Sequence, residues 1–196
     1  SKIFMYDHMQ QLVDMWGNIP FKEAGYLGIT GDIAGSYPSY DKAEDLYKMM
    51  LDDLKEINTK LAGMTSLSTL TSTYLKAQDY INKGDLNIWR KYANSLRLRM
   101  ALTIADQGTM TDEGRSIIRE ILSDPSTYPL LESNDEFIRV DSDDDGFKAE
   151  KNVRDGFETS GRGYASYEVI SRLKDDPRLE ILYAPNHEGN YEGVNT

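Results

Sequence analysis

The stretch that most constrains the fold of this chain is WRKYANSLRLRMALTIAD, at residues 89–106. A helix turns about 100° per residue, and at that angle the apolar side chains of this stretch fall on two opposite faces. One face carries Trp89, Tyr92, Ala93, Leu96, Met100 and Ile104, and the opposite face carries Leu98, Leu102 and Ala105. We therefore expect a helix that packs against a neighbour on each side, with Arg97 and Arg99 on the flanks between the two faces.

Helices that pack on two sides are typical of α-solenoids, because each helix pair packs against the previous pair and the next one. Arginine suits the flanks, since its stem covers apolar surface while its head pairs with carboxylates or carbonyls. The central helix of an ordinary bundle would show the same periodicity, so that alternative stays open. Asn94 and Ser95 are mediocre helix formers, and their place in mid-helix predicts an amide buried against the backbone of a neighbouring loop.

The rest of the chain predicts further helices. Apolar residues at helical spacing occur from Phe4 to Trp16, from Ala43 to Leu61, around residues 74–81 and from Asp112 to Ser123, and a last short helix follows Ser166. A short strand is expected only at EFIRV, residues 136–140. Because strands and helices do not alternate, the fold class is predicted to be all-α.

Start and stop signals support these helices. Asp41, with Glu44 three residues later, predicts a capping box for the second helix, and Asp85 is the expected N-cap of the segment described first. Residues 21–40 are rich in Gly, Ser, Pro and Tyr and predict a loop.

Composition excludes several classes of function. A chain of 196 residues suffices for a single domain at residues 1–196. Its net charge of -11 repels phosphate backbones, so nucleic acid is not an expected partner. The absence of cysteine rules out disulfides, thiolate nucleophiles and zinc–thiolate sites. The chain opens without a signal peptide or lipidation cysteine, and we expect it to be a piece of a longer protein.

Four segments resemble, in the same order, segments of the SusD/RagB family. They are DMWGNIPFKEAG at 14–25, SYDKAEDLYKMMLDDLKEIN at 39–58, YINKGDLNIWRKYANSLRLRMALTI at 80–104 and DDPRLEILYAPNHEGNYEGV at 175–194. Any one of these segments would be uninformative, but four in register across nearly the whole chain are specific. This chain departs from the family pattern at Asn18, where Asp is common, and at Glu180, where Pro is common.

The resemblance implies a fold of tetratricopeptide-like helix pairs with long irregular loops. It implies capture of oligo- or polysaccharides at the surface of a Bacteroidetes-type outer membrane, without catalysis. The implied partner is a TonB-dependent, SusC-like transporter, and the implied membrane anchor is an N-terminal lipid absent from this chain. The shared motifs are expected to serve the scaffold, with Trp16 and Trp89 in the core, and they comprise Trp16, Gly17, Pro20, Gly84, Asp85, Trp89, Asn94, Arg97, Arg99, Asp176, Pro177 and Arg178.

Sugar binding requires aromatic faces that stack on sugar rings, with polar groups nearby for the hydroxyls. Such residues belong on exposed loops. The candidate glycan contacts are Tyr26, Tyr37 and Tyr40 in the first loop and Arg162, Tyr164 and Tyr167 near a glycine-rich loop.

Other functions stay open as alternatives. DSDDDG at 141–146 places Asp141, Asp143 and Asp145 as in a calcium loop, but position 12 is Asn152 instead of Glu, so no cofactor is expected and calcium is the weak alternative. A helical-repeat scaffold for a protein partner is the main rival function. A glycoside hydrolase is less favoured, because nothing singles out two of the 33 acidic residues as a catalytic pair.

Overall fold

The computed structural model describes residues 2–31, 33–64, 67–106, 108–136, 138 and 165–194. It contains two compact units, Ser1–Arg139 and Val140–Thr196. Over the described residues the chain is helical, with isolated bridges at Ile19–Asp41 and Ser166–Val194 as its extended pairing. None of the described helices is long and apolar enough to span a membrane. The prediction of an all-α fold is therefore confirmed for the described chain.

The helices follow one another in a simple order. The described part of the first unit comprises α1 (Lys2–Trp16), α2 (Tyr26–Thr30), a 3₁₀ turn (Ile33–Ser36), α3 (Ala43–Gly63), α4 (Thr69–Gln78), α5 (Leu86–Ile104), α6 (Thr111–Ser123) and a second 3₁₀ turn (Asn134–Glu136). The described part of the second unit comprises α7 (Tyr167–Leu173) and α8 (Leu179–Leu182).

Helix α5 is the centre of the first unit and packs against α1, α3 and α6. It runs antiparallel to α3, since Asn58 near the end of α3 bonds to Asn94, whereas Leu51, earlier in α3, bonds to Arg97. Helix α6 approaches α5 closely, and a Cβ at Gly114 would lie 2.7 Å from the carbonyl oxygen of Ala101. The core formed by these four helices consists mainly of Ile3, Tyr6, Met9, Val13, Leu46, Tyr47, Met50, Leu51, Leu54, Tyr92, Ala93, Leu96, Met100, Ala101, Ile117 and Ile121.

The two opposite faces expected for α5 are only half correct. The face that contains Leu96 and Met100 is buried, as predicted. On the opposite face Leu98 is half-buried against the core, but Leu102 is 57% exposed. Arg97 was expected on a flank, yet it is 3% exposed. The reason is that α3 and α6 contact adjacent sectors of α5, so one broad arc is buried and it includes the Arg97 position.

Arg97 is neutralised inside this arc by groups from two other helices. Its Nε donates to the Leu51 carbonyl at 3.2 Å, and its Nη2 donates to Glu120 at 2.9 Å. The guanidinium carbon lies 5.8 Å from the centre of the Tyr128 ring, whose hydroxyl also donates to Glu120. Partial burial opposes ionisation of Glu120, but hydrogen bonds from Lys55, Tyr128 and Arg97 outweigh it and lower its pKa to about 2.

The polar residues in mid-helix hold a loop, as predicted. The Asn94 Nδ2 donates to the Pro129 carbonyl and to the side chain of Asn58, both at 3.0 Å. The Ser95 hydroxyl accepts a hydrogen bond from the backbone N–H of Leu131 at 3.0 Å. Residues 129–131, in the loop that follows α6, are thereby fixed to α5.

The turn before α5 explains why Gly84, Asp85 and Trp89 occur close together in the sequence. Asp85 caps α5 by accepting the N–H groups of residues 87 and 88, which confirms that prediction. Gly84 has φ +83°, and a Cβ there would lie 3.1 Å from the backbone nitrogen of Lys76. The indole of the half-buried Trp89 donates at 2.6 Å to Asp79, which also accepts the Gly84 N–H.

The predicted capping box of α3 is wrong. The Asp41 carboxylate accepts the N–H groups of Phe21 and Lys22 across the first loop, and Glu44 bonds to the hydroxyl of Thr109. The N–H of Ala43 is instead bonded by the side chain of Asn18, at 3.0 Å. A side chain distant in sequence therefore supplies the cap, while Asp41 holds the loop.

Two further expectations differ from the structure. Trp16 is 63% exposed, so its predicted core position is wrong, because it lies on the side of α1 that faces away from α3 and α5. The first loop is not wholly irregular, since it contains α2 and the 3₁₀ turn Ile33–Ser36. Where a strand was expected, Asn134–Glu136 is a 3₁₀ turn and Ile138 is not in a strand.

Candidate functional site

A cleft in the second unit is the best candidate for a ligand site. Its volume is about 750 Å³, within the range of small-ligand pockets. One face of α7 forms one wall, because its contributing residues are three or four positions apart. The opposite wall is an extended segment near the chain end, and the lining residues are Tyr167, Ile170, Ser171, Lys174, Leu179, Asn190, Tyr191, Glu192 and Gly193.

The two walls are joined by backbone hydrogen bonds at one end of the cleft. The Tyr167 N–H donates to the Val194 carbonyl at 3.1 Å, and the Val194 N–H donates to the Ala165 carbonyl at 2.9 Å. At Gly193 a Cβ would lie 2.4 Å from the Ser166 carbonyl oxygen. Glycine is therefore required there, because any side chain would separate the two walls.

Local turns shape the rest of the cleft. The side chain of Asn186 accepts the N–H groups of Glu188 and Asn190, so the chain turns back before it forms the second wall. Between α7 and α8, Arg178 forms an ion pair with Asp176. The Asn186 turn therefore leads into the wall segment, whereas the Arg178–Asp176 pair is local to the turn between α7 and α8.

The chemistry of the lining suits a ligand with both apolar and hydroxyl-rich surfaces. Ile170 and Leu179 are buried and form an apolar floor. Tyr167 is 55% exposed and Tyr191 is half-buried, so aromatic surface is available at the cleft. Ser171, Lys174, Asn190 and Glu192 add hydrogen-bonding groups, which complete the combination that sugars require.

The tyrosines predicted as glycan contacts lie in different parts of the chain. Tyr26 begins α2 and is 48% exposed, whereas Tyr37 and Tyr40 follow the first 3₁₀ turn and are 84% and 72% exposed. These three belong to the first unit, and of the predicted tyrosines that the structure describes only Tyr167 lines the cleft of the second unit.

Several predicted site residues fall outside the described part of the chain. They are Arg162, Tyr164 and the possible calcium ligands Asp141, Asp143 and Asp145. Among the described residues, no group of His, Asp or Glu side chains is arranged to hold a metal ion. The predictions for these five residues remain predictions.

Sequence reasoning missed Tyr191 as a candidate contact. The signal was present in the segment GNYEG, where Tyr191 is flanked by glycines at positions 189 and 193. This pattern gives a backbone that can turn and approach closely on both sides of one aromatic ring. The segment was interpreted only as part of the scaffold, because it belongs to a shared motif.

Comparisons with known proteins identify relatives of the whole chain. A family model named SusD-like and described as starch-binding, associating with the outer membrane, matches residues 1–196. A SusD homologue from Bacteroides thetaiotaomicron superposes with a TM-score of 0.71 at 21% identity, over 99% of this chain and 36% of that chain. A Bacteroides vulgatus protein, whose description names the outer membrane and nutrient binding, superposes with a TM-score of 0.59 at 25% identity, over 90% of this chain and 35% of that chain. No curated protein matches the chain.

Proposed function

Because the chain belongs to the SusD-like family, we propose that it is part of a non-catalytic protein that binds glycans at the surface of the outer membrane. The protein would pass the glycan to a TonB-dependent, SusC-like transporter and be tethered by an N-terminal lipid outside this chain. The observation that carries the proposal is the family match over residues 1–196. The chain spans only about a third of its solved relatives, so the whole protein is the proper object of every test.

Support for a glycan ligand comes from the cleft in the second unit. Tyrosine rings bind the C–H faces of sugars, and an exposed ring does so at little conformational cost because it has two rotatable bonds. Tyr167 and Tyr191 both line the cleft above the buried Ile170 and Leu179. We propose these two tyrosines as the main sugar contacts of the second unit, with Asn190 as a hydroxyl partner.

A non-catalytic role is supported by the carboxylates of the cleft. A glycoside hydrolase requires two carboxylates about 5–10 Å apart on either side of the scissile bond. Among the described lining residues, Glu192 is the carboxylate, and it accepts a hydrogen bond from Asn186. The cleft therefore offers a sugar one anchored acid and no acid–base pair from the described residues.

The proposal can be tested by affinity electrophoresis of the full-length protein in gels that contain amylopectin. Starch is the ligand in the family description, so an α-glucan is the first probe. We expect Tyr167→Ala and Tyr191→Ala each to weaken binding about tenfold, which corresponds to the loss of one aromatic contact. Tyr74→Ala is the matched control, because Tyr74 is an exposed tyrosine on α4 and does not line the cleft.

The same gels separate the alternatives. Retention that depends on Tyr26, Tyr37 or Tyr40 would place the site in the first loop and remove the cleft from the proposal. No retention in amylopectin, xylan, mannan or dextran gels would reject glycan binding and favour the helical scaffold for a protein partner. Release of reducing sugar from a retained glycan would show a hydrolase and reject the non-catalytic role.

A further inference from the structure

The cleft of the second unit is closed at one end by the protein backbone. The Tyr167 N–H donates to the Val194 carbonyl at 3.1 Å, and the Val194 N–H donates to the Ala165 carbonyl at 2.9 Å. Tyr167 also lines the cleft, so this joint forms one end of the cavity. Because the joint consists of backbone hydrogen bonds, rotation of a side chain does not open it.

The joint is too tight for a sugar chain to pass between the two described walls. A Cβ at Gly193 would lie 2.4 Å from the Ser166 carbonyl oxygen and 2.4 Å from the Tyr167 nitrogen, well inside any real Cβ contact. Gly193 itself lines the cleft. A gap that cannot hold one methyl group cannot hold a pyranose ring.

The other end of the cleft lies near the end of α7. Lys174 lines the cleft seven positions after Tyr167, which places it about 10 Å further along the helix axis at 1.5 Å per residue. Its side chain is exposed. A ligand that runs along α7 therefore stops at Tyr167 and leaves the cleft past Lys174.

We propose, on the basis of the glycan-binding function given above, that the cleft binds the end of a starch-type glucan chain and not an internal segment. An internal segment needs two exits from its site, and the two described walls leave one. The terminal glucose lies against Tyr167 and Gly193, and the rest of the chain continues past Lys174. Binding is then proportional to the number of chain ends, which branching multiplies in amylopectin.

Competition in amylopectin gels of the full-length protein tests the proposal. The competitors are maltoheptaose and β-cyclodextrin, which contain the same number of glucose residues with the same linkage, although the cyclodextrin has no chain end. We expect maltoheptaose to release the unaltered protein at a concentration at least tenfold lower than β-cyclodextrin. Long linear amylose is the control for ring shape, since at equal mass it carries far fewer ends than maltoheptaose and should compete far more weakly.

Gly193→Ala ties the preference for chain ends to the joint. A methyl group at this position separates the two walls, so we expect the ratio between the two competitors to fall below threefold. Gly28→Ala is the matched control, because a Cβ at Gly28 meets nothing within 4 Å, and it should keep the full preference. The competition on the unaltered protein decides the proposal whether or not Gly193→Ala still binds amylopectin.

Several outcomes would overturn the proposal and leave glycan binding intact. They are release by β-cyclodextrin within twofold of maltoheptaose, equal release by amylose and maltoheptaose at equal mass, and a tenfold preference that persists in Gly193→Ala. Retention in xylan, mannan or dextran gels but not in amylopectin would overturn it as well. No retention in any of these gels would reject glycan binding itself.

Discussion

Each of the two compact units is stabilised internally in a different way. In the first unit the described helices enclose a continuous core, and buried polar groups such as Asn94 and Arg97 are bonded between helices. In the described part of the second unit the buried apolar residues are Ile170 and Leu179, and backbone contacts of a short extended segment form the cleft. The comparison shows that the shared ANSLR motif builds a rigid frame, whereas the candidate ligand surface depends on little buried area.

The largest difference between the two units is expected when the buried cation of the first unit, Arg97, is removed. Arg97→Ala removes a buried side chain and frees the Leu51 carbonyl, while Glu120 keeps its contacts with Lys55 and Tyr128, so we expect a loss of about 2–3 kcal/mol in the free energy of unfolding. Denaturant unfolding followed by circular dichroism measures this loss. Arg99→Ala is the control, because the Arg99 side chain is 52% exposed in its pair with Asp7, and it should cost less than about 1 kcal/mol. Equal effects of the two variants would contradict the assigned role of Arg97.

In the second unit, the addition of a single methyl group at Gly193 should be enough to disturb the cleft. Gly193→Ala places a methyl group against the Ser166 carbonyl, so we expect a local destabilisation of about 1–3 kcal/mol and weaker amylopectin binding. Gly28→Ala is the control, since a Cβ at Gly28 meets nothing within 4 Å and its φ is not positive. Affinity electrophoresis together with limited proteolysis measures both effects. Unchanged binding in Gly193→Ala would show that the joined walls of the cleft are not needed.

Acid should destabilise the first unit through Glu120. The pKa of Glu120 is about 2 in the folded protein and close to its ordinary 4.5 in the unfolded chain. Its contribution is therefore complete above pH 4.5 and disappears as the pH falls towards 2. We expect about 1–2 kcal/mol from this group after solvent screening.

Urea unfolding between pH 6 and pH 2.5 checks this dependence. Glu120→Gln should be less stable at pH 6 and should lose less stability on acidification than the unchanged protein. Parallel curves for the two proteins would contradict the assigned pKa.

Local sequence signals predicted much of the fold because they act at short range. The apolar period placed α6 within one residue, and Asp85 and Ser166 cap α5 and α7 as their positions indicate. Asn94 and Ser95 pointed to a loop held by α5, because polar groups in mid-helix need partners.

The errors all concern contacts between residues that are distant in sequence. Periodicity shows which residues share a face of a helix, but it does not show whether another helix covers that face. Leu102 and Trp16 were placed inside for this reason, and Arg97 was placed on a flank because a charge favours the surface unless partners from other helices are present. The Asn18 cap of α3 was missed because it joins residues 25 positions apart.

The candidate site was less predictable than the frame. Tyr167 was selected as an exposed aromatic residue, and the structure places it in the cleft. Tyr191 was missed because its proximity to α7 depends on the Gly193 contact and on the Asn186 turn, which join segments that no local pattern connects.

Hydrogen exchange of the full-length protein, with and without maltohexaose, tests most directly whether the glycan binds the cleft of the second unit and not the helices of the first unit. We predict that the ligand slows exchange of the amides at 167–174 and 190–194, while the amides of α5 exchange slowly in both states. Slower exchange confined to α5, or confined to segments outside the cleft, would contradict the assignment of frame and site made from this structure.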